Sequence, residues 1–160
     1  MLIDITLNVN DTEHRVSVAP HQTLVEVLRE RLGLHDVKVS CCEGECGACT
    51  VLVDGRPVNA CMMLAVLANG SKITTIRGLA GPGELHPLQE SFIEHGAVQC
   101  GYCSPGMILS AKALLDRSPH PSEAEVKRAI SGNICRCTGY QQIVEAILAV
   151  ANQDLSETQR

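Results

Sequence analysis

Residues 41–61 read CCEGECGACTVLVDGRPVNAC, and this stretch holds five of the nine cysteines of a 160-residue chain. Two of them, Cys41 and Cys42, are adjacent. Further along, the apolar segment TVLV (50–53) is followed by Asp54-Gly55, a dipeptide that strongly favours a two-residue turn between antiparallel strands. The stretch therefore predicts a β-hairpin with cysteines gathered at its open end.

The spacing of the first cysteines indicates a particular kind of site. Cys41, Cys46 and Cys49 follow the pattern C-x4-C-x2-C, which is typical of plant-type [2Fe–2S] ferredoxins and is completed there by a distant fourth cysteine. Cys42 would give C-x3-C and breaks this pattern. We therefore predict that Cys41 is a ligand and that Cys42 is not.

The hairpin identifies the fourth ligand. If Asp54-Gly55 is the loop, counting outward along both strands places Cys49 opposite Ala60, so that Cys61 returns beside Cys49. Structural zinc and buried free thiols are the alternatives, although zinc favours two tight C-x2-C pairs over a loop of this kind. The predicted first site is therefore Cys41, Cys46, Cys49 and Cys61.

A second group of cysteines lies in QCGYCSPGM (99–107) and GNICRCTGY (132–140). The first segment contains C-x2-C and the second contains C-x-C, and each lies just before a predicted helix start, where unpaired N–H groups favour an anionic group. Because two ligands one residue apart strain a tetrahedral site, iron–sulfur is favoured here, with zinc left open. The predicted ligands are Cys100, Cys103, Cys135 and Cys137.

The remaining patterns predict two domains, a β-rich one over residues 1–78 and a helical one over residues 79–160. Thr23 and Glu26 are predicted to form a capping box that begins a helix in TLVEVLRERLGL (23–34), and Gly33 is predicted to end it. Ser104-Pro105 are predicted as N-cap and N1 of a later helix. Residues 78–85, GLAGPGEL, are interpreted as a linker. The predicted strands are 3–9, 15–18, 50–53, 56–59 and 72–77, and the predicted helices of the second domain are 87–95, 105–116, 123–131 and 140–151.

Composition and charge exclude several classes of protein. The net charge is −5, and the absence of a basic block argues against a nucleic-acid binder. The longest apolar run, CMMLAVLA (61–68), is far shorter than the roughly 20 residues that span a bilayer. The alternating N-terminus predicts a strand, not a signal peptide. We therefore expect a soluble, cytoplasmic protein, in which nine cysteines are not a disulfide framework.

At these motifs the sequence resembles the small iron–sulfur subunit of the molybdenum hydroxylases, the xanthine dehydrogenase, aldehyde oxidoreductase and nicotinate dehydrogenase group. The resemblance covers nearly the whole chain. It is carried, in order, by four segments: TLVEVLRERLGL, CEGECGACTVLVDGRPVNAC, GAVQCGYCSPGMI and GNICRCTGYQQIVEAI.

The resemblance implies an α+β fold, in which an N-terminal β-grasp, ferredoxin-like domain holds one [2Fe–2S] cluster and a C-terminal four-helix-bundle domain holds another. It also implies that Gln99 and Cys137 contact the molybdopterin of a large subunit, while the first cluster lies nearer the FAD of a medium subunit. The expected assembly is a dimer of such heterotrimers. In it this chain relays electrons from molybdopterin–molybdenum to FAD during hydroxylation of a heterocycle, aldehyde or related substrate with oxygen from water.

No residue set indicates a catalytic or substrate site on this chain. Two alternatives to the relay subunit stay open on the sequence. One is a free-standing two-cluster ferredoxin, which would leave the helical site without a role, and the other is a zinc-stabilised interaction module without redox chemistry.

Overall fold

The structure is a computed structural model that describes residues 1–157, with side chains described through residue 152. Its N-terminal part is a five-stranded sheet in the order β2-β1-β5-β3-β4, with β1 and β5 parallel and the other neighbours antiparallel. Together with the helices described below, this mixed sheet confirms the predicted α+β class. The strands are β1 (Ile3–Val9), β2 (Thr12–Val18), β3 (Thr50–Val53), β4 (Arg56–Asn59) and β5 (Lys72–Thr74).

The hairpin of β3 and β4 has the predicted register. Val53 pairs with Arg56 across a loop formed by Asp54 and Gly55, whose φ angles are 49° and 77°. Beyond the paired strands, the Ala60 N–H donates to the Cys49 carbonyl at 3.3 Å. The local turn chemistry therefore determines how the two ends of the cysteine-rich stretch meet.

The hairpin of β1 and β2 is longer than predicted. Its loop is only Asn10 and Asp11, with φ angles of 50° and 63°, so Thr12 already pairs with Val9 and β2 begins three residues before the predicted start. Two residues in this left-handed conformation suffice to reverse the chain.

Strand β5 ends at Thr74, whereas the sequence predicted a strand over residues 72–77. The reason lies in Thr75, whose N–H donates to the side chain of Asn10 at 2.9 Å and whose hydroxyl donates to Asp36 at 2.7 Å. From Thr75 onward, hydrogen bonds to the side chains of Asn10 and Asp36 replace the backbone pairing with a neighbouring strand. The chain then turns into a 3₁₀ segment, Ile76–Leu79.

The helix across the sheet begins with the predicted capping box of Thr23 and Glu26. Its α-helical part, α1 (Leu24–Glu26), continues as a π-helical segment, Val27–Arg31. The sequence did not predict that this helix would become π-helical. Its buried residues join the sheet in one hydrophobic core.

Four helices form the second half of the described chain. They are α2 (Pro87–Glu94), α3 (Ser104–Arg117), α4 (Glu123–Ala129) and α5 (Gln141–Glu157), and their buried side chains form a second core. Helix α3 begins one residue earlier than predicted: the N-cap is Cys103, in helical conformation, and Ser104 is not the cap. None of the helices among residues 1–157 is both long enough and apolar enough to span a bilayer.

Leu52 of β3 packs against Leu109 and Ala113 of α3 in a small third cluster, so the sheet and the helices are in direct contact. The predicted division at residues 78 and 79 stays a prediction. The final three residues of the predicted second domain, 158–160, lie outside the described residues.

Candidate metal centres

The first cysteine loop brings its thiols together in two pairs. The thiol of Cys46 is within hydrogen-bonding reach of Cys41, and that of Cys61 is within reach of Cys49. The Cys61 N–H also points at the Cys49 sulfur, at 3.5 Å. The hairpin therefore returns Cys61 to the place that the register predicted.

Two sulfurs of this loop lie in contrasting environments. The Cys41 sulfur accepts hydrogen bonds from the N–H groups of Glu43 at 3.4 Å and Cys46 at 3.5 Å, which lower the pKa of the Cys41 thiol to about 6. Cys49 is 3% exposed, and burial raises the pKa of its thiol to about 12. Because metal binding displaces thiol protons, a bound cation would stabilise the thiolate that burial of Cys49 disfavours.

Cys42 is exposed and has a left-handed backbone with φ of 57°. Its side chain lines a surface depression of about 360 Å³ together with Val25, Arg29, Val39 and Cys61. No hydrogen bond from Cys42 to another thiol is present among the described residues. The Cys41 sulfur, by contrast, accepts two backbone N–H groups and lies within hydrogen-bonding reach of the Cys46 thiol.

The second site has the same pairwise arrangement. The Cys137 thiol donates to the Cys100 sulfur across 3.6 Å, and the thiol of Cys103 lies within hydrogen-bonding reach of Cys135. Burial raises the pKa of Cys103 to about 12, whereas Cys100 and Cys137 are exposed. The four cysteines come from two places: Cys100 and Cys103 lie in the segment that ends at the N-cap of α3, and Cys135 and Cys137 lie in the loop before α5.

The loop before α5 surrounds Cys135 with polar groups. The Thr138 hydroxyl donates to the Cys135 sulfur at 3.1 Å and the Thr138 N–H donates to it at 3.4 Å. Burial acts to raise the pKa of Cys135, but hydrogen bonds from Thr138, from the Cys137 N–H and from the Cys103 thiol together outweigh it and lower the pKa overall. The Tyr140 hydroxyl accepts from the Cys135 N–H at 2.9 Å and so holds the peptide in place.

The outer face of the second site is exposed. Gln99 is exposed and adjoins Cys100, and Cys137 is exposed beside it. Tyr102, 45% exposed, and Ile134, 54% exposed, line a depression together with the four cysteines, and Val98, two residues before Cys100, is 38% exposed.

The donor sets fit diiron clusters. A [2Fe–2S] cluster takes two thiolates on each iron, which is the grouping that each site offers, whereas structural zinc takes its four ligands on one ion. In the part of the chain that the structure describes, no three Cys, His, Asp or Glu side chains converge on a single ion position. The grouping of the four thiols of each site into two pairs is therefore the observation that fits a [2Fe–2S] cluster.

The two cysteine loops touch one another. The Ile134 N–H donates to the Cys46 carbonyl at 2.9 Å, and the side chain of Asn133 donates to the Gly47 carbonyl at 3.0 Å. Neither Asn133 nor Thr138 was identified from the sequence. The one indication of a role in the sequence is their place in GNICRCTGY, where both lie within three residues of Cys135.

Comparison with known families agrees with two sites. The model of the 2Fe-2S iron-sulfur cluster binding domain matches residues 7–70, and that of the [2Fe-2S] binding domain matches residues 75–148. The chain thus contains two [2Fe–2S] binding domains, one for each cysteine group.

Relatives along the whole length identify the family. The chain is 52% identical to the nicotinate dehydrogenase small FeS subunit of Eubacterium barkeri, over 91% of this chain and 92% of that protein. The structure of quinoline 2-oxidoreductase from Pseudomonas putida 86 aligns with a TM-score of 0.92 at 41% identity, over 98% of this chain and 97% of that chain. Aldehyde oxidoreductase from Desulfovibrio gigas also aligns at 0.92, with 44% identity, over 97% of this chain but 17% of that longer chain. This chain is therefore a non-catalytic iron–sulfur subunit of an oxidoreductase, and it belongs to the family of small [2Fe–2S] subunits of the molybdenum hydroxylases.

Proposed function

We propose that this chain relays electrons from a molybdopterin site on a large subunit to FAD on a medium subunit, during hydroxylation of a heterocycle, aldehyde or related substrate with oxygen from water. The observation that carries the proposal is the arrangement of eight sulfurs in two paired sites whose loops are in contact. When bound, a [2Fe–2S] cluster takes up and releases one electron at a potential that responds to hydrogen bonds, charge and burial.

We assign the ligands as the sequence predicted them. Residues 1–78 hold the first cluster and residues 79–160, which we propose to be a four-helix bundle, hold the second. The chain's own contribution is to present thiolates, to donate N–H groups to their sulfurs, and to bury part of each site. The first set is Cys41, Cys46, Cys49 and Cys61, and the second is Cys100, Cys103, Cys135 and Cys137.

The exposed rim of the second site is proposed to face the large subunit. Gln99 and Cys137 would contact the molybdopterin there, and the medium subunit would lie nearer the first site. Tyr102 and Ile134 are exposed and line one depression with the cysteines of the second site, which supports burial in a complex, because clustered exposed apolar side chains mark interaction sites. The dimer of heterotrimers and the cytoplasmic location stay predictions.

The purified native protein should be reddish-brown and should bleach on addition of dithionite, because ferric thiolate clusters absorb visible light and zinc does not. Iron analysis should give about four atoms per chain, and electron paramagnetic resonance of the reduced protein should show two signals. About two iron atoms per chain would remove one cluster, and a colourless protein containing zinc would refute the proposal. Isolation as a lone chain with full iron would favour a free-standing ferredoxin instead.

The Thr138→Val variant should have a lower reduction potential at the second site. Its hydroxyl donates to Cys135, and a donor to sulfur stabilises the more negative reduced state. If this hydrogen bond is about 1 kcal/mol stronger in the reduced state than in the oxidised state, its loss lowers the potential by a value on the order of 40 mV for one electron. A redox titration followed by electron paramagnetic resonance measures it.

Ser131→Ala is the matched control for Thr138→Val, since the Ser131 hydroxyl lies in the same loop but donates to the Arg128 carbonyl of α4 and not to sulfur. Its potential should equal that of the native protein. An unchanged potential in Thr138→Val, or an equal shift in both variants, would show that the hydroxyl does not tune this site.

A further inference from the structure

We infer that Asn133 is a positioning residue that fixes the loop of the first thiol site against the loop of the second, and so determines how strongly two clusters bound there interact. The inference rests on the proposed function, because it takes the two cysteine groups as the two cluster sites. It adds a residue that is not a ligand and that acts on both sites at once.

The side-chain amide of Asn133 is buried, at 4% exposure, and uses all of its polar atoms. Its Nδ2 donates to the Gly47 carbonyl at 3.0 Å and to the Thr50 hydroxyl at 3.2 Å. Its Oδ1 accepts from the Ser110 hydroxyl at 2.7 Å. One amide therefore joins the first cysteine loop, strand β3 and helix α3.

These contacts lie between the proposed ligands. Gly47 stands between Cys46 and Cys49, and Asn133 stands two residues before Cys135. The neighbouring Ile134 N–H donates directly to the Cys46 carbonyl. Any movement of the amide would therefore move a ligand-bearing peptide in each site.

On two sides the Asn133 amide lies so close to the backbone that only glycine fits at the neighbouring position. A Cβ atom at Gly47 would lie 2.6 Å from Nδ2 of Asn133, and one at Gly106 would lie 3.0 Å from it. Both approaches are too close for an ordinary side chain. Because buried polar groups are costly to leave without partners, an amide enclosed in this way holds its neighbours in one arrangement.

The test compares Asn133→Ala with the native protein, each in its cluster-loaded complex. Iron content should be retained, while amide hydrogen exchange in residues 46–50 and 132–134 should become at least about tenfold faster, because the contacts that close the junction are lost. The magnetic interaction between the two reduced clusters should also change, which a general loss of stability would not produce.

Asn59→Ala is the matched control. The Asn59 amide donates to the Gly44 carbonyl at 2.8 Å, which is the same chemistry but joins the first cysteine loop to β4 and not to the second site. This variant should alter the signal of the first cluster but leave the exchange at 132–134 and the magnetic interaction as in the native protein. Equal effects in both variants would overturn the inference.

Thr50→Val keeps the test decisive if Asn133→Ala fails to accumulate. It removes one acceptor of the Asn133 amide and keeps a side chain of similar shape, so the same two changes should occur, to a smaller extent. Native exchange and native magnetic interaction in Thr50→Val would overturn the inference. Absence of iron from the native protein would refute the proposed function instead.

Discussion

The Cys41→Ser chain should retain about half of the iron of the native chain, while the Cys42→Ser chain should retain all of it. Cys41 accepts two backbone hydrogen bonds, pairs with Cys46 and has a thiol pKa lowered to about 6, so it supplies a thiolate at neutral pH. A serine hydroxyl in its place is a far weaker acid than a thiol and stays protonated at neutral pH. The first cluster should therefore be lost and the second kept.

The two adjacent cysteines make the comparison internally controlled. Both substitutions exchange the same atoms on neighbouring residues, but Cys42 is exposed, has φ of 57°, and faces the depression beside Val25 and Arg29. Iron analysis and electron paramagnetic resonance should show a single remaining signal in Cys41→Ser and two in Cys42→Ser. Loss of half the iron from Cys42→Ser, with full iron in Cys41→Ser, would show that the ligand register is shifted by one residue.

Local chemistry explains what the sequence predicted well. A two-residue Asp54-Gly55 loop determines the pairing of its flanking strands, and that pairing places Cys61 beside Cys49 without any knowledge of the rest of the fold. Capping boxes act in the same way, since Thr23 and Glu26 satisfy each other's backbone groups within one turn.

Contacts between distant residues explain what the sequence did not predict. Asn133 bonds Gly47 from 86 residues away, and no periodicity or spacing in the chain encodes that meeting. The early end of β5 has the same origin, because Thr75 is held by Asn10, which is 65 residues earlier. The cysteines were predictable as ligands, but the polar groups that join the two sites were not.

The Gly106→Ala variant should be less stable than the native protein, although alanine is the better helix former. In an open helix this change would stabilise by about 1 kcal/mol. Here the added Cβ would lie 2.4 Å from the Gly47 carbonyl oxygen, so α3 or the first cysteine loop must move. Overpacking of this kind costs about 1–3 kcal/mol, which should lower the thermal midpoint of the cluster-loaded protein by several degrees.

Gly132→Ala supplies the control for this contact. A Cβ atom at Gly132 would meet nothing within 4 Å, and its backbone is not in the left-handed region. Its midpoint should equal or slightly exceed the native value, because alanine reduces the entropy of the unfolded chain. A raised midpoint in Gly106→Ala would mean that helix propensity outweighs the contact and that α3 does not press on the first site. A lowered midpoint there, with a native one in Gly132→Ala, would place the strain at the junction where the two cysteine loops meet.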